Sequence, residues 1–145
     1  MLIVTTAAAG ERAGCLVGFA SQCSIEPRRF MVWLSNKNHT YRVAARATTL
    51  VVHFPSCDQV DLARLFGEQT GDEVDKFARC SWSGGPDGVP VLDDCPKWFA
   101  GRILDRLTGG DHVGYLLDPF EVSAGEWPGQ LGFQQVRDFQ PGHEA

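Results

Sequence analysis

Short apolar runs separated by turn residues follow one another along most of the chain, a pattern that is typical of a β-rich protein. Apolar and β-branched residues predict strands over 2–6, 14–21, 30–35 and 48–54. The first two are close enough in sequence to form a hairpin. The run at 30–35 is apolar throughout its length, so we expect it to be covered on both faces.

Helical patterns are short and fall between the strands. Asparagines followed by helix formers predict a helix within 36–47. Ser56 and Gln59 have the spacing of a capping box, which predicts that a second helix begins there. A further short helix is expected over 71–80, and the Gly and Pro content of 81–90 predicts a loop.

A long hairpin is predicted between Lys97 and Ser123, with its two strands joined by the sequence TGGDH. Gly109 and Gly110 are expected to supply the tight turn. About six strands with two or three short helices indicate a small, mainly β barrel with short helices around it.

The C-terminal tail, residues 125–145, is rich in Gly and Pro but keeps several apolar residues. We therefore expect this tail to pack along the barrel or along a partner subunit. The sequence has no internal repeat and no linker, so residues 1–145 are expected to form one domain, with the barrel over 1–124.

The composition is that of a soluble globular protein, with 43% hydrophobic and 21% charged residues among 145. The formal net charge of −5 argues against nucleic acid or an anionic membrane as a partner. The start, MLIVTTAAAG, has no basic residue before its apolar part, so we interpret it as a strand and not as a signal peptide.

The cysteines number five, and no two have C-x-x-C spacing. Neither a disulfide framework nor a metal site is therefore indicated, and the expected state is reduced thiols in a cytoplasmic protein. The sequence also has no P-loop, no G-x-G-x-x-G between strand and helix, no G-x-S-x-G and no H-E-x-x-H. A dinucleotide would thus not be held in the Rossmann manner.

Positive charge is concentrated in one stretch of the sequence. Residues 27–57 contain no Asp or Glu but five cations, which are Arg28, Arg29, Lys37, Arg42 and Arg46. With the hydroxyl and amide side chains between them, they are suited to binding a phosphate near a helix start. The alternative is that strands carry few acids in any case and these side chains simply face water.

The stretch TGGDHVGY, residues 108–115, places His112 directly after a glycine turn. Glycines allow a backbone to approach a ligand closely, and an imidazole titrates near physiological pH, so this turn is a candidate site. A histidine that follows a turn is commonly just solvated. Composition and spacing leave both interpretations open.

Several stretches taken together resemble the flavin reductase-like domain family, which has the FMN-binding split β-barrel fold. In chain order these stretches are GCLVGFASQCSIEPRRFMVWLS, NKNHTYRVA, DLARLFGEQ with DKFARCSW, GVPVLDDCPKWFAGRI and GGDHVGYLLDPFEV. They extend from about residue 2 to residue 124, and the GDH block is the most specific of them. The resemblance implies a mainly β, Greek-key-like split barrel.

The resemblance also implies an enzyme, a flavin reductase that transfers a hydride from NAD(P)H to FMN or FAD. Hydride would pass directly from nicotinamide C4 to flavin N5, so the protein would stack, orient and polarise the ring. A homodimer with the flavin near the subunit interface is expected, and reduced flavin could feed a partner monooxygenase. The choices between FMN and FAD, and between NADH and NADPH, stay open.

The site residues that the resemblance implies fall into four groups. Those lining the isoalloxazine ring are Leu16, Val17, Gly18 and Phe19. Those at the corner near the ribityl chain and phosphate are Gln22, Cys23 and Ser24. Those completing the phosphate end are Ser35, Asn36, Lys37, His39 and Thr40. The catalytic residue is His112, which with Gly110 and Asp111 is expected beside the ring where the nicotinamide stacks.

Two other functions are compatible with the sequence. One is a flavin-binding or electron-carrier protein without significant NAD(P)H reductase activity. The other is a barrel that binds haem or another flat cofactor, for which His39, His53 and His143 are the candidate axial ligands.

Overall fold

Seven antiparallel strands form one curled sheet in the computed structural model, which describes residues 1–124, 126 and 129–142. They are β1 (Leu2–Ala8), β2 (Glu11–Val17), β3 (Ala20–Ser24), β4 (Arg29–Ser35), β5 (Thr49–His53), β8 (Trp98–Thr108) and β9 (His112–Val122). The short strands β6 (Trp82–Gly84) and β7 (Pro90–Leu92) pair with each other, and the helices are α1 (His39–Ala44) and α2 (Val60–Glu68). The predicted class, mainly β with short helices, is confirmed.

The strand order explains why the sheet curls. The order is β2-β1-β5-β8-β9-β4-β3, so β2 and β3 lie at opposite edges of the sheet. Only Gly18 and Phe19 separate these two strands in sequence, and a connection of that length spans roughly 11 Å at most. The sheet therefore closes on itself until its edges are neighbours. Within the described residues no ladder joins the two edges, which leaves an open seam along the barrel.

The inward side chains of the strands form the main core. They include Val4, Val32, Leu50, Tyr115 and Leu117, all buried. Two outer layers cover parts of the sheet from outside: α2 with the 3₁₀ turn at Lys76–Arg79, and the β6–β7 hairpin. Burial of these apolar surfaces is the main force that holds the curled sheet together.

The prediction of one continuous strand over 14–21 is wrong. The structure has two strands there, because β2 ends at Val17 and β3 begins at Ala20. The apolar pattern runs on without interruption through Gly18 and Phe19, but the chain leaves one edge of the sheet there and joins the other. The carbonyl of Phe19 accepts a hydrogen bond of 2.9 Å from the Trp33 amide, which ties the crossing point to β4.

The short helix predicted within 36–47 is confirmed as α1. The side chain of Asn38 accepts the Thr40 amide at 2.9 Å and so caps α1, which ends at Ala44. The Arg106 guanidinium donates to the carbonyls of Ala44 and Ala47 at 3.1 and 2.9 Å, which satisfies acceptors at the end of this helix. The second predicted helix is confirmed as α2, although it begins at Val60.

Two further predictions are wrong between α2 and β8. Residues 81–90 do not form a loop, since they contain β6 and the start of the β6–β7 hairpin, whose turn includes Asp87 and Gly88 at positive φ. The Gly and Pro residues there belong to the turn of a short hairpin. Residues 71–80 contain only a single 3₁₀ turn, because the buried residues Lys76 and Phe77 are adjacent and lack helical spacing.

The tail packs on α2 in its described part. Leu131 and Val136 are buried against Ala63 of this helix, and the Leu131 amide donates to the Pro55 carbonyl at 2.8 Å. The amino group of Met1 in turn donates to the Leu131 carbonyl at 2.8 Å. The start of the chain is therefore held against the tail beside α2.

Part of the predicted tail, residues 125, 127, 128 and 143–145, lies outside the described residues. Among the residues that are described, each helix is too short or too polar to cross a lipid bilayer.

Candidate functional site

The end of β2, the end of β4 and the start of β9 meet at the open seam of the barrel. A pocket of about 430 Å³ lies there, which we call the split pocket. Its lining comprises Met1, Cys15, Leu16, Val17, Gly18, Phe19, Trp33, Leu34, Ser35, Asn38, His112 and Phe133. Apolar side chains dominate, and a few polar groups lie at the α1 end, as in many small-molecule sites.

A second pocket adjoins the first at the β8–β9 turn. This turn pocket has a volume of about 510 Å³, and its lining comprises Phe19, Trp33, Leu107, Gly109, Gly110, Asp111 and His112. Phe19, Trp33 and His112 line both pockets. Two ligands placed in the two pockets would therefore meet at these three side chains.

Two of the three shared side chains contact each other. The rings of Phe19 and His112 make an edge contact, with centroids 5.1 Å apart and planes at 64°. Phe19 is nevertheless 63% exposed, which is unusual for a phenylalanine held by a hydrogen-bonded backbone. Its exposed face is available to a flat ligand.

His112 is held by its neighbour in sequence. Its Nδ1 lies 2.8 Å from a carboxylate oxygen of Asp111, so Nδ1–H donates and Nε2 is the nitrogen left for a ligand. The hydrogen bond with His112 lowers the pKa of the Asp111 carboxyl below its usual value. The Asp111 carbonyl accepts the Asn36 amide at 2.9 Å, which ties the turn to the end of β4.

The glycines of this turn are not required by the backbone. Neither Gly109 nor Gly110 has a positive φ, and a Cβ added to either would meet no atom within 4 Å. Gly109 and Gly110 lie in the β8–β9 turn as predicted, although their backbone conformations are open to other residues. Their effect is to leave the turn pocket open where side chains would otherwise project.

The predicted phosphate end is only partly assembled. Ser35 and Asn38 line the split pocket, and Asn36 and Lys37 are exposed beside it. Thr40 is buried inside the barrel, where its hydroxyl faces the Cys15 thiol.

His39 points away from both pockets. Its Nε2 lies 3.2 Å from a Glu11 carboxylate oxygen and its Nδ1 lies 2.9 Å from one of Asp72. Hydrogen bonds from Arg42 and His39 lower the pKa of Asp72 to about 2. A histidine between two carboxylates is poorly suited to binding phosphate.

Three of the five cations in the acid-free stretch have carboxylate partners from elsewhere in the chain. Arg29 lies 2.7 Å from Asp118, Arg46 lies 2.7 Å from Glu11, and Arg42 pairs with Asp72. The stretch itself contains no Asp or Glu, but the fold brings carboxylates from other segments against three of its five cations. Less positive charge is therefore left to bind an anion.

The corner residues lie apart from the split and turn pockets. Gln22, Cys23 and Ser24 line a shallow depression at the end of β3. Gln22 also reaches a pocket at the opposite mouth of the barrel. The structure thus brings the four residues predicted to line the ring together with His112, whereas the three corner residues lie elsewhere.

Several lining residues were not predicted from the sequence. Trp33 lies in the run predicted to be covered on both faces, yet it lines both pockets. Phe133 belongs to the tail and reaches the split pocket from about 100 positions further along the chain. For Trp33 the sequence signal is its place at an alternate position of β4, on the side opposite the core residues. For Phe133 the sequence gives no signal beyond an apolar side chain.

The outer surface of β4 and β9 next to the turn pocket is apolar. We call it the outer apolar face, and it comprises Phe19, Met31, Trp33, Leu107 and Leu116. A Cβ on Gly114 would touch Met31 and Trp33, and Gly114 pairs with Leu107, so these residues share one side of the sheet. Leu107 is 55% exposed. The expectation that residues 30–35 are covered on both faces therefore fails within this single chain.

The candidate haem ligands do not converge. His53 is fully buried, with Nδ1 3.1 Å from the Ile3 carbonyl and Nε2 accepting the Leu92 amide at 3.1 Å. His143 lies outside the described residues. Within the described part of the chain, no group of three or more His, Cys, Asp or Glu side chains is arranged to hold a metal ion, and all five cysteines are free.

Known proteins share this fold and sequence pattern. The sequence model described as Flavin reductase like domain matches residues 1–140. The FMN reductase (NADH) RutF of Bradyrhizobium diazoefficiens is 31% identical over 110 residues, which are 76% of this chain and 61% of that protein. A probable flavin reductase of Rhizobium meliloti is 29% identical over 114 residues, which are 76% of this chain and 36% of that protein.

A solved structure extends the likeness to three dimensions. The flavin reductase domain protein of Arthrobacter sp. FB24 superposes with a TM-score of 0.78 at 26% identity, covering 86% of this chain and 76% of that one. The predicted split-barrel fold is confirmed. The chain spans 61% and 36% of the lengths of the two curated relatives, less than two thirds of either.

Proposed function

Because the chain belongs to the flavin reductase-like domain family, we propose that it is a flavin reductase that transfers a hydride from NADH to FMN or FAD. The observation that carries the proposal is the sharing of Phe19, Trp33 and His112 by two adjoining pockets. The split pocket would hold the flavin ring, and the turn pocket would hold the nicotinamide. The name of the Bradyrhizobium relative, FMN reductase (NADH), supports FMN and NADH as the first pair to test.

The residues of the split pocket fit a flavin. Its walls are apolar and aromatic, and its polar groups, Ser35 and Asn38, lie at one end with Lys37 nearby, as a ring with a polar chain requires. Gly18 lines the pocket without a side chain, so backbone forms this part of the wall, and a Cβ there would lie 3.7 Å from the Met1 side chain. When bound, the flavin supplies the two-electron chemistry.

The protein residues would supply position and polarity. His112, fixed through Asp111, presents Nε2 to the ligand in the turn pocket, and Phe19 offers a ring face for stacking. Holding two partners in contact converts an encounter into an intramolecular step. We assign His112 the role of orienting the nicotinamide.

The same proposal includes a homodimer. The outer apolar face adjoins the turn pocket, and exposed apolar surface beside a site commonly marks a protein contact. A second copy packed on this face would bring the flavin near the interface.

The open seam of the barrel would let reduced flavin leave for a partner monooxygenase. The proposed location is the cytoplasm, which the five free cysteines favour.

The test is NADH consumption by the purified protein without flavin, with FMN and with FAD, together with the absorbance spectrum as isolated. We expect consumption that depends on added flavin. A yellow protein that leaves NADH untouched would contradict the reductase and support a flavin-binding electron carrier.

His112→Ala tests the assigned role. We expect NADH oxidation at saturating flavin to fall by at least about tenfold, because the nicotinamide loses its orientation, while the flavin Kd changes much less. His39→Ala is the matched control, because His39 is held between Glu11 and Asp72, and its rate at saturating flavin should stay unchanged. Equal effects of His112→Ala on rate and on flavin binding would remove the orienting role.

A further inference from the structure

The mouth of the barrel opposite the His112 turn contains a separate cavity of about 430 Å³. We call it the aromatic pocket. The strand β9 extends from His112, at the turn pocket, to Val122, at the aromatic pocket. The pockets approach most closely along β4, where Phe30 lines the aromatic pocket and Trp33, three residues or roughly 10 Å further on, lines the split and turn pockets. No described residue lines both the aromatic pocket and either of the other two pockets, so it is a separate cavity.

The inner wall of this pocket is a cluster of phenylalanine rings. Phe30 and Phe99 make an edge contact, with centroids 5.2 Å apart and planes at 71°. Phe54 lies against Phe99 with centroids 6.1 Å apart. Phe99 is buried, so these rings continue the hydrophobic core into the mouth. An added ring at this place would find edge and face contacts of the kind that aromatic side chains make with one another.

The rim of the pocket is positive. Arg28, Arg29 and Lys97 line it, and no acidic side chain is among its described lining residues. Arg29 is neutralised by Asp118, with 2.7 Å between Nη1 and the carboxylate oxygen. In the described part of the chain neither Arg28 nor Lys97 has a carboxylate within ion-pair distance. Two unpaired cations beside an apolar cavity are notable in a chain with a net charge of −5.

We propose that the aromatic pocket binds a small aromatic carboxylate. The ring would occupy the cavity against Phe30, Phe54 and Phe99, and the carboxylate would lie between Arg28 and Lys97. The volume is within the range of small-molecule sites, and mouths of β-barrels are common places for them. A carboxylate accepts hydrogen bonds from guanidinium and ammonium groups, so the rim provides its charge partners.

Titration calorimetry with phenylacetate tests the proposal, and phenylacetamide is the neutral probe of the same shape. We expect phenylacetate to bind at least about tenfold more tightly than the amide, because charge-assisted hydrogen bonds are lost with the amide. In two-dimensional NMR the perturbed amides should cluster at Phe30, Phe54 and residues 97–99. Added FMN should not compete.

The double variant Arg28→Gln/Lys97→Gln should weaken phenylacetate binding by about tenfold or more and leave phenylacetamide binding unchanged. Arg137→Gln removes an exposed cation of the tail and is the matched control, which should bind both probes as the unmodified protein does. Arg28 and Arg137 are exposed and Lys97 is half-buried, and thermal unfolding checks that the variants fold.

Several outcomes would overturn the proposal. They are no binding at millimolar phenylacetate, equal affinity for the acid and the amide, binding unaffected by the double variant, and competition by FMN. Hexanoate binding as tightly as phenylacetate would also overturn it, because the pocket would then select an apolar chain and not a ring.

Discussion

His53 connects three strands from inside the protein. The residue is on β5, its Nδ1–H donates to the Ile3 carbonyl of β1, and its Nε2 accepts the Leu92 amide of β7. This pairing fixes one neutral tautomer, since the second nitrogen must act as an acceptor. Complete burial lowers the pKa of the imidazole to about 4. A structural role therefore accounts for His53 without any cofactor.

This pKa predicts a pH-dependent stability. Between pH 6.5 and 4 the unfolded chain binds a proton at His53 that the folded chain excludes. The contribution of this group to the free energy of unfolding is therefore fully present above pH 6.5 and is lost as pH drops toward 4. A shift of this size corresponds to about 3 kcal/mol. Urea unfolding at pH 7.5 and 4.5 should show the loss, and His53→Gln should remove most of that difference.

NMR titration of the His53 ring measures the same pKa without a substitution. A ring that titrates near 6.5 in the folded protein would contradict the prediction. His112→Gln serves as the matched control for the unfolding series, because His112 lies at the surface turn and its replacement should leave the loss between pH 7.5 and 4.5 in place.

At the scale of elements, the β1–β2 hairpin has a turn with one unfavourable residue. Ala8 pairs with Glu11, so the loop has two residues, Ala9 and Gly10, with φ of 51° and 79°. Positive φ at both central residues is the mark of a type I′ turn, whose twist matches that of the two strands. Asparagine followed by glycine is the preferred sequence for this turn. An alanine in this conformation is strained.

Ala9→Asn should therefore stabilise the protein by about 0.5–1 kcal/mol, which would raise Tm by about 3 °C. Ala9 is exposed, so no packing is lost. Gly10→Ala is the matched control and should destabilise by about 1 kcal/mol, because a Cβ there has open space but the backbone has φ of 79°. Thermal unfolding measures both changes, and a fall in Tm for Ala9→Asn would contradict the argument.

At the scale of the whole molecule, the outer apolar face and the turn pocket share Phe19, Trp33 and Leu107. Assembly and activity should therefore depend on the same surface. Leu107→Glu places a charge on this face, and we expect it to convert a dimer into a monomer, because burying an unpaired carboxylate is costly. Sedimentation velocity measures the change.

The matched control for assembly is Ile25→Glu, which adds the same charge at an apolar residue that is 82% exposed on the corner after β3. This variant should sediment as the unmodified protein does. A dimer that survives Leu107→Glu, or an unmodified protein that is monomeric at micromolar concentration, would contradict the proposed contact.

Local patterns in the sequence determined most of the elements. The β1–β2 and β8–β9 hairpins, the strand β5 and the helix α2 follow from runs of apolar residues bounded by turn or capping residues, all within a few positions of one another. The family followed in the same way, because each matching stretch is continuous. The position of His112 directly after a turn was also visible in the sequence.

Tertiary structure alone decided where the continuous apolar run at 14–21 divides, since that depends on which sheet edge the chain must reach. It also decided which cations are neutralised: Arg42 and Arg46 find Asp72 and Glu11, each at least 30 positions away. The gathering of Trp33 and His112 in one site has the same origin. Hydrophobic pattern specifies local structure, whereas partners distant in sequence are selected by the way the whole sheet closes.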